Sequence, residues 1–415
     1  MIYPSHFFFF IPWRIYLKQL FLILVLIFPA AFAPLSAQIQ KEELNCYLLT
    51  IGPGKDLYLW FGHTGIIIEE ENHSQFYDFG NFSFKSDHFY RNFAMGRLVY
   101  LKVGVSARAY QNYIVTEDRN VTLLKLNIPS EKILEMKEEL ERNILPGNNT
   151  YLYHHYLDNC STRPRDIIDK ALDGQLKDAT DRDAGTSFRG SFRRYTSHSF
   201  FPDWLLSLLQ GRTIDSPISV WETMFLPDEL MKQLSLLQVK SGDSLEPAVL
   251  STRVLAESSR NRTIPETAPS LAVPALLYGL AAGVLLMMLQ SLSLGERRKS
   301  VFVFLFVFIM TIFSLFGLTV WFISFFTDHL VARENINVLM FHPLYLVAGF
   351  ILTRNSAEKL LRFWQIQGGL WVLMVLFNAV YFHQGNLQTS LFFLSFLSCQ
   401  LLIVKKPFHF GQKPS

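Results

Sequence analysis

The sequence predicts an α+β domain exported from the cytoplasm, followed by an all-α bundle of five transmembrane helices. Three observations carry that expectation. The chain of 415 residues is 50% hydrophobic and 15% aromatic, more apolar than an ordinary soluble protein. The excess is uneven: residues 40–265 read as a mixed globular domain, and nearly everything after Pro269 is apolar. The N-terminus also has the layout of a signal peptide, with Arg14 and Lys18 before the apolar stretch 20–32 and Leu35-Ser36-Ala37 before Gln38. Cleavage is expected after Ala37. An uncleaved anchor is the alternative, because residues 7–13 extend the apolar character upstream. In both cases Gln38 emerges outside the cytoplasm.

Within the first domain, residues 46–51 read as a strand ended by Gly52-Pro53-Gly54. Residues 57–70 hold a second candidate, whose Ile66-Ile67-Ile68 run is strongly β-prone. The polar turn 71–74 leads into a third strand over 75–84, completing a hairpin. Residues 97–105 and 121–128 look like further strands. Residues 130–143 form an amphipathic helix, with Ile133, Met136, Leu140 and Ile144 at helical spacing and Ser130 as N-cap. Pro265, Pro269 and Pro274 mark a linker between the halves.

Five apolar segments follow, over residues 271–294, 301–326, 338–352, 366–382 and 390–404. Each approaches the ~20 residues that cross a ~30 Å hydrocarbon core, the third and fifth being short. Helices satisfy their own backbone there. Arg297, Arg298 and Lys299 fall in the first connection, Arg354, Lys359 and Arg362 in the third, and Lys405 and Lys406 in the tail. The positive-inside rule puts these in the cytoplasm and residues 38–268 outside. The outer connections carry Asp328, His329, Arg333, Glu334, Asn335 and Asn337, then His342-Pro343, as lipid-headgroup ligands or as solvated loop residues.

A net charge of +3 offers nothing to a nucleic acid. Three cysteines, Cys46, Cys160 and Cys399, are too few for a disulfide framework, although an oxidising compartment permits a Cys46–Cys160 bridge. No CxxC or HExxH spacing occurs, so no metal and no cofactor are expected.

The chemically pointed segment runs from Tyr151 to Ala171. Asp158-Asn159-Cys160-Ser161-Thr162-Arg163 enters Pro164, which suits the first turn of a helix, and then Ile167, Ile168 and Ala171. Cys160 therefore stands at or just before a helix N-terminus, where the dipole and free N–H groups favour a thiolate and can bind an oxyanion. An imidazole beside it would complete a nucleophile–base pair. A lone cysteine in apolar surroundings is, by contrast, commonly an inert core residue. His63, between Gly62 and Thr64-Gly65 at the opening of a strand, is one candidate base; His154 and His155 are nearer in sequence.

Phe61-Gly62-His63-Thr64-Gly65, Tyr77-Asp78-Phe79-Gly80 and Asp158-Asn159-Cys160-Ser161-Thr162-Arg163 together resemble the Lnb family, lipoprotein N-acyltransferases of Bacteroidetes. Trp221 with Phe225-Leu226-Pro227, and Asn337 through His342-Pro343-Leu344, are similar to the same family. The order of His and Cys also resembles permuted NlpC-type, papain-like folds. The resemblance implies that Cys160, activated by His63, takes an acyl chain from a membrane phospholipid as a thioester. The chain then passes to the α-amine of a diacylglyceryl-cysteine lipoprotein. It implies Asp78 as the group orienting the imidazole, with Tyr77 or Asn81 as alternatives, and Asn159, Tyr77 and Arg163 on the substrate or oxyanion side. Asn159 is alternatively a helix cap. Arg189, Arg193 and Arg194 read either as phosphate ligands or as a solvated basic loop. The expected layout is a signal peptide over 1–37, a thiol domain over 38–264, a linker over 265–270, spans over 271–404 and a cytoplasmic tail over 405–415. The location that follows is the cytoplasmic membrane, with the domain in the periplasm. A membrane-bound cysteine hydrolase of the envelope and a non-catalytic assembly factor are the competing readings.

Overall fold

The computed structural model describes residues 44–242, 244–260, 262–293, 299–354, 356–381 and 385–403. The expected signal peptide and cytoplasmic tail lie outside the described residues. Five strands arise where the sequence predicts them, or close by: β1 (Asn45–Ile51), β2 (His63–Glu69), β3 (Ser74–Asn81), β4 (Val99–Ser106) and β5 (Val121–Leu126); a sixth, the short β6 (Thr150–Leu152), has no such signal in the sequence. With the strand Val249–Ala256 they make an antiparallel sheet in the order Val249–Ala256, β5, β1, β2, β3, β4, β6.

Both faces of the sheet centre are covered. Leu48, Ile66, Ile68, Tyr77 and Leu124 pack on one face against the helices Ser130–Ile144, Thr162–Ala171 and Pro227–Leu236. Leu49, Ile51, Ile67 and Phe76 face the helix Ala107–Ile114 on the other. Burial on two sides is why Ile66-Ile67-Ile68 shows no polar alternation. Each of these side chains is at most 2% exposed and contributes about 1.5–3 kcal/mol of transfer free energy.

The N-cap expected at Ser130 moves by one residue. Pro129, extended at φ −59° and ψ 145°, precedes the helix, and Ser130 is its first residue without a side-chain cap bond. Proline's restricted φ already holds the entry geometry.

After the linker, three helices among the described residues are long and apolar enough to cross a membrane: Ala272–Gln290, Ser300–Phe326 and Glu358–Val380. Two further helices occupy the remaining expected places, Tyr345–Thr353 and Asn386–Ile403. The third expected segment is thus shorter than its apolar run. Its first part is a single 3-10 turn, Ile336–Leu339, and the nine-residue helix begins only beyond Pro343. At 1.5 Å per residue that helix is roughly 14 Å long, less than half a hydrocarbon core. The fourth helix starts earlier than hydropathy indicated, at Ala357, drawing Lys359 and Arg362 into its first turns. There Arg362 pairs with Glu358 one turn away.

The connection over 328–337 is tied to the first domain at several points, although Asp328, Arg333 and Glu334 stay exposed. Asn335 and Asn337 are buried and both donate to the Leu208 carbonyl. Gly211 donates to Val331 O at 2.7 Å, Arg212 pairs with Glu334 and Arg97 with Asp328. The linker is clamped too, since Arg194 donates to Pro265 O and Arg193 to Pro269 O.

Candidate active site

His63 is the first residue of β2 and Asp78 lies near the end of β3, which pairs with it in the register Gly65↔Asp78. Alternation places His63, Asp78 and Gly80 on one face and Tyr77 on the other. Across that diagonal, His63 Nε2 donates to Asp78 Oδ1 at 3.0 Å. The same oxygen accepts the Gly80 N–H at 2.6 Å, which holds the carboxylate in place.

Cys160 arrives from far along the chain and hydrogen-bonds the His63 imidazole. It is a buried free thiol two residues before the helix Thr162–Ala171. Gly80 makes this meeting possible. A Cβ built on it would stand 2.5 Å from His63 Cε1, 3.0 Å from Nδ1 and 3.3 Å from Cys160 Cβ. Any side chain would wedge between the two groups.

The loop before the helix is fastened at several points. Asn159 Oδ1 accepts the N–H groups of Ser161 and Thr162, and its Nδ2 donates to His155 O and Phe225 O. Ser161 Oγ donates to Met224 O. These bonds commit the Asn159 side chain to capping and leave no amide hydrogen for an oxyanion. The segment around Trp221 and Phe225 is therefore the bracket of the cysteine loop. Arg165 also stacks on the Trp221 ring, 4.0 Å from its centroid.

Burial disfavours a charged imidazole, yet the Asp78 carboxylate and the Cys160 sulfur outweigh it and raise the His63 pKa to about 10. Burial likewise works against the Asp78 carboxylate, and the His63 charge and hydrogen bonds override it, so that its pKa is lowered. The arrangement has the geometry of a nucleophile–base–orienter set.

Other expected residues lie elsewhere. Tyr77 is 1% exposed in the core on the opposite sheet face, because adjacent strand residues project oppositely. It is not part of the site. Arg163 is held by Asp158 at 2.6 Å and lies 3.9 Å over the Tyr151 ring, so its fork is occupied rather than free for substrate. Asn81 is exposed at the end of β3. His154 Nδ1 accepts from the Tyr156 and Leu157 N–H groups. His155 sits between Phe61 and Tyr156, and burial lowers its pKa to about 4. Cys46 is a second free thiol, fully buried opposite Ile68, and burial pushes it up to about 12. No bridge joins it to Cys160.

The basic stretch is not a loop. Arg189, Arg193 and Arg194 lie on the helix Phe188–Thr196, paired with Asp215, Asp203 and Glu229. Gly80 and Tyr151 escaped the sequence reading. The Tyr151 hydroxyl donates to the Phe79 carbonyl and so ties β6 to the end of β3. The Gly80 signal was present in Tyr77-Asp78-Phe79-Gly80, since a glycine inside a strand pattern marks a close approach.

A buried thiol hydrogen-bonded to a carboxylate-held imidazole, in a domain docked on apolar helices, defines a membrane-attached thiol–imidazole protein. The chain belongs to the Lnb family. Residues 31–195 match the Lnb N-terminal periplasmic domain and residues 270–406 match the Lnb transmembrane domain. It is thus a membrane protein with a periplasmic domain, and its family points to lipoprotein processing. No curated protein and no solved structure matches it.

Proposed function

We propose that this protein is a lipoprotein N-acyltransferase of the cytoplasmic membrane. In this reading the chain is a multi-pass protein, its five helices all act in anchoring, and the thiol domain over 38–264 faces the periplasm. The acyl donor is a membrane phospholipid. The acceptor is the α-amine of a lipoprotein's diacylglyceryl cysteine. The observation that carries the reading is the His63 imidazole, bonded to Asp78 Oδ1 on one side and to the Cys160 sulfur on the other.

In the first step the Cys160 thiolate attacks an ester carbonyl of the phospholipid. Asn159 already takes the Ser161 and Thr162 N–H groups, so the Cys160 N–H is the main-chain donor beside the developing oxyanion. The His63 imidazolium protonates the departing glycerol oxygen, and lysophospholipid leaves a thioester behind. In the second step the acceptor amine attacks that thioester and yields its proton to His63. The C–S bond breaks, an amide forms and the thiolate–imidazolium pair is restored. Asp78 keeps the imidazole oriented through both steps. The sheet, with His on a strand and Cys at a helix start, is compatible with a permuted papain-like fold. Docking on the membrane helices supports two lipidated substrates, because both diffuse in the same plane.

The test uses the full chain in liposomes with acyl-labelled phospholipid. The expected result is a thioester mass increment on Cys160 that disappears when a diacylglyceryl lipopeptide is added, as amide-linked label appears on it. Label released only as free fatty acid would instead establish a hydrolase. No label on Cys160 would reject covalent acyl transfer.

A further inference from the structure

The domain carries a dense exposed aromatic surface that the thiol chemistry does not use. Tyr58, Phe84, Tyr90 and Phe93 are 56%, 52%, 74% and 54% exposed. They join through Phe82 and Phe89. Phe82 lies 5.0 Å from Phe84, Phe84 is 5.1 Å from Phe89, and Phe89 stacks on Phe93 at 6.1 Å between centroids. A contiguous apolar patch of this kind marks a surface with an apolar partner.

Two features say what that partner is. At its lower end the patch reaches the membrane helices. The Asp328 N–H donates to Met95 O at 2.8 Å, and Arg97 pairs with Asp328. Gly96, at φ +77°, lies so close that a Cβ would stand 2.6 Å from His329 N. Asp328 follows the span Ser300–Phe326 by two residues, and the last side chains of that span, Phe325 and Phe326, are themselves exposed. The helix Phe89–Ala94 therefore stands level with the end of an apolar span, where aromatic side chains settle at the hydrocarbon–headgroup boundary. Exposed Lys85 and Arg91 flank it, placed for lipid phosphates.

At its upper end the patch reaches the thiol. Phe82 is two residues beyond Gly80, which packs against both His63 and Cys160. Phe82 also lies 5.0 Å from Tyr100, and Tyr100 stacks on Tyr153 at 4.2 Å. Burial, and then the Cys160 charge, raise the pKa of the Tyr100 phenol, so that ring lies within electrostatic reach of the sulfur.

We infer that the surface from Phe82 to Phe93 inserts into the outer leaflet, and that phospholipid acyl chains travel along it to Cys160. This route deepens the acyltransferase reading and rests on it. The insertion itself is independent of the thiol. Aromatic side chains thus follow one another from Phe93 through Phe89, Phe84 and Phe82 to Tyr100 and Tyr153.

The experiment places the full chain in vesicles of phosphatidylethanolamine and phosphatidylglycerol containing a phospholipid with a diazirine in its acyl chain. After illumination, labelled peptides are mapped by mass spectrometry. Label between residues 82 and 96 is expected in both the native protein and Cys160→Ala, so a failure of acylation and a failure of insertion are told apart. Label confined to the spans overturns the inference. Phe84→Ser with Phe93→Ser should lower acylation of Cys160 from vesicle phospholipid roughly tenfold, with Phe84→Leu and Phe93→Leu restoring most of it. Undiminished acylation in the serine pair, or an equal loss in the leucine pair, overturns the acyl route.

Discussion

Two buried charged clusters in this chain differ in one respect that separates scaffold from chemistry. Around Arg189, which is 1% exposed, Nε and Nη2 meet Asp215, Nη1 donates to Ser207 O and Oγ, and Nη2 donates to Gln210 O and Gly211 O. Every direction of the fork is taken by acceptors, the pattern of a charge buried to hold elements together. Around His63 the carboxylate and imidazole are equally fixed, by Gly80 N–H and by Asp78. The cluster ends, however, on the Cys160 sulfur, a free thiol hydrogen-bonded to the imidazole. A saturated cluster fastens; one that terminates in a thiol carries the proposed chemistry.

That contrast can be broken by substitution. Cys160→Ala should abolish acyl-enzyme formation while leaving the melting temperature near that of the native protein, which is checked by intact-protein mass and calorimetry. His63→Ala should slow formation by about 10²–10⁴-fold. Gly80→Ala comes next. Its methyl group must displace His63 Cε1 from 2.5 Å, and a misplacement of about 1 Å costs roughly a hundredfold in rate, with secondary structure retained.

Arg189→Met should do the reverse. Leaving Asp215 unpaired in the interior costs about 3–5 kcal/mol, read as a fall in denaturant midpoint. The rate per folded molecule should stay near native. If Arg189→Met instead left stability intact and removed activity, the division between the two clusters would collapse.

The smallest effect is the pH dependence. The folded pKa of His63, about 10, lies above its ordinary 6.5, so its ionic partnership adds stability that is fully present below about pH 6.5. That contribution declines as pH rises and is gone above pH 10. The melting-temperature difference between native protein and His63→Ala should shrink across that window. A difference that grows with pH would mean the imidazole is neutral in the folded state.

Much of the site was legible because its signals are local. Pro164 and the Ile167, Ile168, Ala171 spacing announced the helix after Cys160, which the structure has as Thr162–Ala171. The glycines beside His63 serve close approaches, through the positive φ of Gly62 and the tight packing of Gly65 on Phe76. Choosing among His63, His154 and His155 was not possible locally, because the choice depends on a contact spanning almost a hundred residues. Asp78 and Tyr77 are neighbours of opposite orientation. Which of them faces the histidine depends on the β2–β3 register, here Gly65↔Asp78. Asn159 was readable as a cap or as an oxyanion ligand, and its four bonds decided for the cap.

The arginines were the hardest to place. Three guanidiniums within six residues read as exposed by composition alone. Their acceptors come from segments up to seventy-six residues away, as between Arg193 and Pro269. Helix ends in the membrane half were missed for a related reason. Hydropathy locates apolar runs, but Pro343 and the Glu358–Arg362 pair set where helices start.

Periodicity, capping chemistry and apolar run length act between residues a few positions apart, and the sequence alone accordingly determined β1 to β5, the helix after Cys160, the exported domain and the apolar half. The partner of the thiol, the face that each strand residue presents and the burial of the arginines were decided only by the tertiary structure. Those properties depend on electrostatic and packing contacts between distant segments, whose energy exists only once the chain has brought them together.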